Sequence, residues 1–214
     1  MLSPTCLPDR PRDLMPAKKP YHRENLRRDL LDAGREYVRQ HGHHGLSIRT
    51  LAQQVGVSPG APYHHFPDRR SLLLALAIEG FEEMLYGAEQ VRASAMTPAE
   101  KLSRMGLLFI RFAEANPCLL DLMYESELTS PVLDPQLLDY QLKGHFNLRD
   151  HLTAALPDIS DEEADLRVIA YWSAIYGFAS MRKKGVIRPS EQAVPSIDIA
   201  EAIVARAALA ALAD

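Results

Sequence analysis

Cysteine is nearly absent: Cys6 and Cys118 are the only two in 214 residues, too few and too far apart for a disulfide framework or a zinc spacing. They read as structural thiols suited to a reducing interior. Nor does any uninterrupted apolar run approach the length of a bilayer span, so 47% hydrophobic residues point to a buried core rather than to a membrane protein. Pro4, Pro8, Pro11, Pro16 and Pro20 stand where a secretory signal would need its apolar segment, and a cytoplasmic protein is expected. Catalytic signatures are missing too: no nucleophile elbow, no glycine-rich phosphate loop and no paired metal motif occurs. A small helical enzyme using histidines and carboxylates as acid and base is the weaker alternative, and no cofactor is expected. There is no internal repeat, and the length suffices for one large domain or two small ones.

Period-two alternation is also nearly absent, whereas apolar residues recur at spacings of three and four after residue 23. This pattern predicts an all-α fold of about nine helices. Residues 1–22 are basic, proline-rich and without period, and read as a disordered arm. A first helix is predicted from about Arg23 to His41, with Leu26, Leu30, Ala33 and Tyr37 on one face. Ser47 can cap a second, which buries Ile48, Leu51, Ala52 and Val55 and stops at Gly56. Ser58 followed by Pro59 predicts a third helix over residues 61–66. Asp68 can cap a fourth to about Arg92, and Thr97 to Glu100 read as a capping box for a fifth ending near Ala115. Asn116 and Pro117 open a sixth, and a seventh spans roughly Pro131 to Leu156. Ser160 to Glu163 form another capping box for an eighth reaching about Lys184. After a loop from Gly185 to Pro195, an alanine-rich ninth closes the chain.

Charge is divided unevenly. Residues 1–72 carry 12 Lys/Arg against 7 Asp/Glu, net +5, and residues 73–214 carry 12 against 21, net −9. A basic first third on an acidic remainder fits a nucleic-acid-binding module carried by a separate body. Two short helices joined at Gly56 and Val57, the second with an open N-terminus, make a helix-turn-helix. Such an end offers free amides to phosphate, and Gly60 and Ala61 are small enough to approach base edges. By spacing alone a generic helical hairpin fits equally well.

The run GLSIRTLAQQVGVSPGAPYHHFPDRRSLLL at residues 45–74 resembles the DNA-binding region of the TetR family of transcriptional regulators. The turn, the Tyr63-x-His65-Phe66 sequence and the basic residues and leucines after it occur in the family's order, over about residues 23–75. The resemblance implies a three-helix DNA-binding domain at residues 23–72 and an effector-binding and dimerisation domain at 73–214. It implies a homodimeric regulator, most often a repressor, that binds a palindromic operator on double-stranded DNA and is released by a small apolar or amphipathic effector. A constitutive dimeric DNA-binding protein without effector is the alternative. Tyr63, His65, Arg49 and Arg69 would contact phosphate, Gly60, Ala61 and His64 would face bases, and Ser58, which can cap the recognition helix, belongs to the same DNA-binding set. Phe66, Val57 and Leu51 would be core. Two positions depart from the family: Pro62 replaces an aliphatic residue, and Arg70 replaces a common acid, its extra charge favouring phosphate. Lys18, Lys19 and Arg23 can reach a minor groove or form a solvated tail. His41, His43 and His44 lie in a glycine-flanked loop too loose for a metal site.

In the remainder, the eighth helix is apolar nearly all round and the ninth presents small residues. The family implies that these two pack against their symmetry mates as a four-helix bundle, through Trp172, Phe178, Ile203, Val204, Ala207, Ala208 and Ala211; an intramolecular core is the alternative. Residues 171–179 resemble a Trp/His/Gly signature of one branch of TetR C-terminal domains, with Tyr176 in place of the histidine. An effector cavity among helices five to eight would be lined by Met105, Phe109, Phe112, Leu122, Met123, Tyr140, Phe146, Trp172 and Tyr176. The same stripe also fits plain core. Arg111, Glu125, His145 and Tyr176 are the polar residues placed to orient a ligand.

Overall fold

Local capping signals set most of the helix boundaries. The computed structural model describes residues 25–187 and 198–213; the arm at residues 1–22, with Cys6, Lys18 and Lys19, as well as Arg23 and the loop residues up to Pro195, lie outside them wholly or in part. Among the described residues there are eight α-helices, one short 3-10 helix and no strand. They are α1 (Leu26–His41), α2 (Ile48–Val55), the 3-10 helix (Ala61–His64), α3 (Arg69–Arg92), α4 (Pro98–Ala115), α5 (Pro117–Tyr124), α6 (Pro135–Ala155), α7 (Asp161–Lys183) and α8 (Ile199–Leu212). None is long and apolar enough to cross a membrane.

The Ser47 hydroxyl accepts from the Thr50 amide at 3.1 Å, so α2 starts where its cap predicts. Asp68 and Ser71 close a reciprocal capping box on α3, and Thr97 with Glu100 closes another on α4. At Ser160 only half of the expected box forms. Its side chain takes the Glu163 amide at 3.2 Å, but the Glu163 carboxylate turns away to Arg167 at 2.7 Å. The seventh predicted helix starts four residues late, at Pro135, because Asp134 caps it.

The third predicted helix is shortened to four residues of 3-10 geometry. With Ser58 as cap and Pro59 first, Pro62 would be the first residue whose N–H an α-ladder needs, and proline has none. The Ser58 carbonyl is taken instead by Ala61 N at 3.1 Å, Gly60 O by Tyr63 N at 3.3 Å and Pro62 O by His65 N at 2.9 Å, a three-residue ladder. Pro67 then pushes Phe66 out of helical geometry. The capping position falls to Gly60, with no side-chain hydrogen bond, so Ser58 does not cap.

Two apolar cores result. In the head, Leu30, Leu31, Leu51 and Phe66 pack with Leu72, Leu76 and Phe81 of α3. That core is completed from outside residues 23–72 by Leu119, Leu122 and Met123 of α5, with Leu128 and Leu137. The body core joins α4, α6, α7 and α8 around Ile110, Leu152, Ile175 and Val204. Helix α3 belongs to both, which makes it a rigid rod between them. At Gly106 α4 comes so close to α7 that any side chain would collide with the Tyr171 hydroxyl.

Candidate nucleic-acid interface and ligand cavity

Gly56 turns the chain in the left-handed region, at φ 80°, and its amide closes α2 onto Ala52 O. This turn throws the 3-10 helix across the end of α2, with Pro62 and Phe66 buried beneath it. On the outside, Tyr63 is 46% exposed and His64 is exposed. Gly60 meets nothing within 4 Å of the place a side chain would occupy. In a 3-10 helix residues three apart eclipse, so Gly60 and Tyr63 share one outward ridge. Ala61 and His65 are half-buried, and Ser58 is exposed. Arg49 is exposed on the first turn of α2 and takes part in no ion pair among the described residues.

The two arginines that follow are placed differently from their sequence reading. Arg69 gives its Nε to Leu46 O at 2.8 Å and its Nη2 to His43 O at 2.7 Å and His44 O at 3.2 Å, and its Nη1 pairs with Glu127. It ties the 43–46 loop to α3 and to the body, which corrects its assignment as a phosphate contact. Arg70 likewise bonds Glu127 O at 2.7 Å and Asp134 Oδ2 at 3.0 Å rather than standing free for phosphate. The planar fork of arginine suits this clustering of carbonyls.

The loop histidines diverge. His41 packs on Tyr37 at 4.9 Å, while His43 is buried against His44 at 4.1 Å. His43 Nε2 has no hydrogen bond and lies 3.9 Å from Glu127 Oε2. Burial, with the neighbouring His44 and Arg69, holds its pKa below the usual histidine range.

Beneath the head, a cavity of about 540 Å³ opens between α3, α4, the end of α5, α6 and α7. Met105, Phe109, Tyr140, Trp172 and Tyr176 line it as the sequence suggests. Four other residues expected on its wall do not. Leu122 and Met123 of α5 fill the head core; Phe112 packs between the two cores; and Phe146 is 53% exposed beside His145. The sequence reading missed the α3 wall, Phe81, Met84, Leu85 and Ala88, as well as Tyr124 and Tyr171. Their signal was the apolar second half of the fourth predicted helix, which nothing but a body surface could cover.

Phe109, Tyr124, Trp172 and Tyr176 form one aromatic cluster in which every pair is in ring contact, from 4.5 Å for Phe109 and Trp172 to 6.5 Å for Tyr124 and Trp172. Around it three tyrosines and a histidine are engaged. The Tyr140 hydroxyl donates to Glu82 at 2.9 Å, Tyr176 to Glu125 at 3.2 Å and Tyr171 to Leu102 O at 2.7 Å, while His145 Nε2 meets Asp165 at 3.0 Å. Burial and the Glu125 carboxylate push Tyr176 up to about 12. Burial also raises Tyr124, whose hydroxyl has no hydrogen bond among the described residues. Of the polar residues named from sequence, His145 and Tyr176 line the cavity, Glu125 stands behind Tyr176, and Arg111 is exposed.

The residues read as a dimer face are mostly internal. Phe178, Val204, Ala208 and Ala211 are buried in the chain's own body core, Ile203 and Ala207 pack against it, and Trp172 is on the cavity wall. Small residues on α8 let it approach α4 and α7 of the same chain. The outer face of these helices carries other apolar residues, Leu166 at 58% and Leu209 at 71% exposed, with Ala170, Ala174 and Ala205.

Residues 30–76 match the sequence model for bacterial regulatory proteins of the tetR family. The HTH-type transcriptional repressor AcnR of Corynebacterium glutamicum is 40% identical over 60 residues, 28% of this chain and 32% of that protein. The HTH-type transcriptional repressor Rv1474c of Mycobacterium tuberculosis is 39% identical over 70 residues, 33% of this chain and 37% of that protein. The chain thus matches about a third of the length of these curated relatives. Similarity over the whole fold comes from a solved structure of a protein of unknown function from Rhodococcus sp. RHA1, with 27% identity, a TM-score of 0.75 and coverage of 91% of this chain and 97% of that one. The helix-turn-helix of residues 48–64 thus lies inside a stretch that matches the tetR family of bacterial regulatory proteins, and it stands on an all-helical body.

Proposed function

We propose that the protein is a transcriptional regulator acting as a homodimer, which holds a two-fold symmetric DNA operator through its head and releases it when a small molecule occupies the body cavity. One observation carries the DNA part: the ridge of Gly60 and Tyr63 is uncovered at the end of the turn, inside the stretch similar to HTH-type transcriptional repressors. Those relatives favour repression as the mode. Arg49, Tyr63 and His65 are the phosphate contacts, and Gly60, Ala61 and His64 face the bases. Arg69 and Arg70 instead fix the height of the head over the body. The head is residues 23–72 and the regulatory body 73–214. Such a protein works in the cytoplasm, with its DNA.

Two identical heads must enter successive major grooves, about 34 Å apart. The outer face of α7 and α8, with Leu166, Ala170, Ala174 and Leu209, is the surface that brings them together, since it is apolar, exposed and lined by small residues. Ligand entry reaches the head by two routes. Helix α3 runs from the cavity wall at Phe81 and Met84 to its cap at Asp68. Tyr124 lines the cavity at the end of α5, three residues before Glu127, which holds Arg69 and Arg70. A ligand that displaces Tyr124 therefore favours a different setting of the loop on which the head rests.

Selection of bound sequences from random duplexes with the purified full-length protein tests the proposal. A two-fold symmetric consensus is expected. Failure to enrich any sequence, or an asymmetric single site, would overturn it.

A further inference from the structure

The cavity wall restricts what the effector can be. Its lining contains neither lysine nor arginine and neither aspartate nor glutamate. The nearest carboxylates, Glu82, Glu125 and Asp165, stand behind Tyr140, Tyr176 and His145 and are engaged by them. Asp165 is further paired with Arg149, and Glu125 with Lys183 and Lys184. An anion entering the cavity would meet no cation in the lining itself, Arg149, Lys183 and Lys184 being paired with the carboxylates behind it and Lys143 lying over the Tyr140 ring at 4.6 Å. A cation would find those carboxylates already matched or screened by the wall. An anion is thus desolvated without a charged partner in the wall, and a cation finds ring faces but no carboxylate there.

What the wall does offer is ring surface and a few neutral donors without a hydrogen bond among the described residues: the Tyr124 hydroxyl, the Trp172 indole N–H and the Gln141 and Asn147 amides. Phe109, Tyr124, Trp172 and Tyr176 form an extended aromatic surface on which a flat molecule can stack or meet ring edges. The Tyr124 hydroxyl is the wall tyrosine without a hydrogen bond among the described residues, and burial keeps it protonated, so it is available to donate. The volume, about 540 Å³, suits a molecule of several fused or linked rings.

We infer that the effector is an uncharged, flat, ring-containing molecule bearing a carbonyl or hydroxyl oxygen, which stacks in the Phe109, Trp172 and Tyr176 cluster and accepts a hydrogen bond from Tyr124. This rests on the proposal that the cavity is an effector site, and it goes further by fixing the ligand's charge, shape and one polar contact.

Four probes sharing one ring system test it on the full-length protein: 2-acetylnaphthalene, naphthalene, 2-naphthoate and 2-naphthyltrimethylammonium. Trp172 is the chain's single tryptophan and lines the cavity, so its fluorescence reports occupancy, with the melting temperature as a second readout. The ketone is expected to bind saturably and at least ten-fold more tightly than either ion. Tyr124→Phe should weaken the ketone about five-fold and leave naphthalene unchanged, in line with the loss of one hydrogen bond. Naphthoate or the ammonium binding as tightly as the ketone, or a ketone affinity indifferent to Tyr124→Phe, would overturn the inference while leaving the cavity a ligand site. If no probe reaches Trp172, the inference and the effector site fall together.

Discussion

The head and the body use the same element, an arginine- or tyrosine-anchored helix contact, to opposite ends. In the head, Arg69 draws in three backbone carbonyls, the core beneath is closed, and the reactive surface is outside, at Gly60 and Tyr63. In the body, Tyr171 anchors α7 to the Leu102 carbonyl of α4, and the available surface is inside, at the cavity wall. On the proposed function, the surface that meets a rigid duplex is a small, fixed turn, and the one that admits a small molecule is an incompletely filled interior. The two share α3.

The sharpest way to break this contrast is to remove the head's anchor. Arg69→Ala should destabilise the fold by about 2 to 3 kcal/mol, because several acceptors and Glu127 lose one shared donor; Arg69→Lys should rescue little, lacking the fork. Thermal unfolding checks both. The matching change in the body is Gly106→Ala, which forces the Tyr171 hydroxyl off the Leu102 carbonyl and should cost about 2 kcal/mol. The same melting experiment reads it. On the outward surface the effect should move from stability to binding. Arg49→Ala and Tyr63→Phe are each expected to weaken operator affinity about ten-fold, a loss of about 1.4 kcal/mol, with an unchanged melting temperature. Fluorescence anisotropy on the selected duplex measures this.

A smaller effect compares the two cores through their buried histidines. His43 in the head and His151 in the body both have an Nε2 without a hydrogen bond, and burial is the leading cause that lowers both pKa values. The unfolded chain binds those protons near pH 6.5, and the folded chain only at lower pH. Stability is therefore full above about 6.5 and falls as pH drops through that value towards the folded pKa values. His43→Gln should flatten the fall for amides of α1 and α2, and His151→Gln for those of α6, as hydrogen exchange would resolve.

Legibility in the sequence followed the range of the interactions. Ser47, Asp68 and Thr97 cap helices with partners three residues away, and their starts could be read directly. The recognition turn was half legible. Its place and exposed residues followed from Gly56 and the motif, but its 3-10 geometry came from Pro62 falling on the first required amide, a point visible only once Pro59 and Pro62 are counted along the same helix. Long-range pairing hid the rest. Arg69 and Arg70 look like phosphate ligands until Glu127, 58 and 57 residues away, is seen to hold them. On α5, Leu122 and Met123 differ from Tyr124 only by rotation about the axis, and Asp121, one turn before Tyr124, is the single polar residue on the helix that marks its side. The alanines of α8 mark close packing equally well for a partner chain and for its own, and here Ala208 and Ala211 serve its own.

In the proposed regulator two identical turns, held at a fixed separation, grip one duplex. Anisotropy titration of the full-length protein against the selected operator and against versions with the half-sites moved apart measures this directly. An insertion of about half a helical turn should reduce binding to the nonspecific level, and an insertion of a full turn, about 10 base pairs, should restore part of it. Affinity that ignores the spacing would mean that each head binds alone, which contradicts a paired grip.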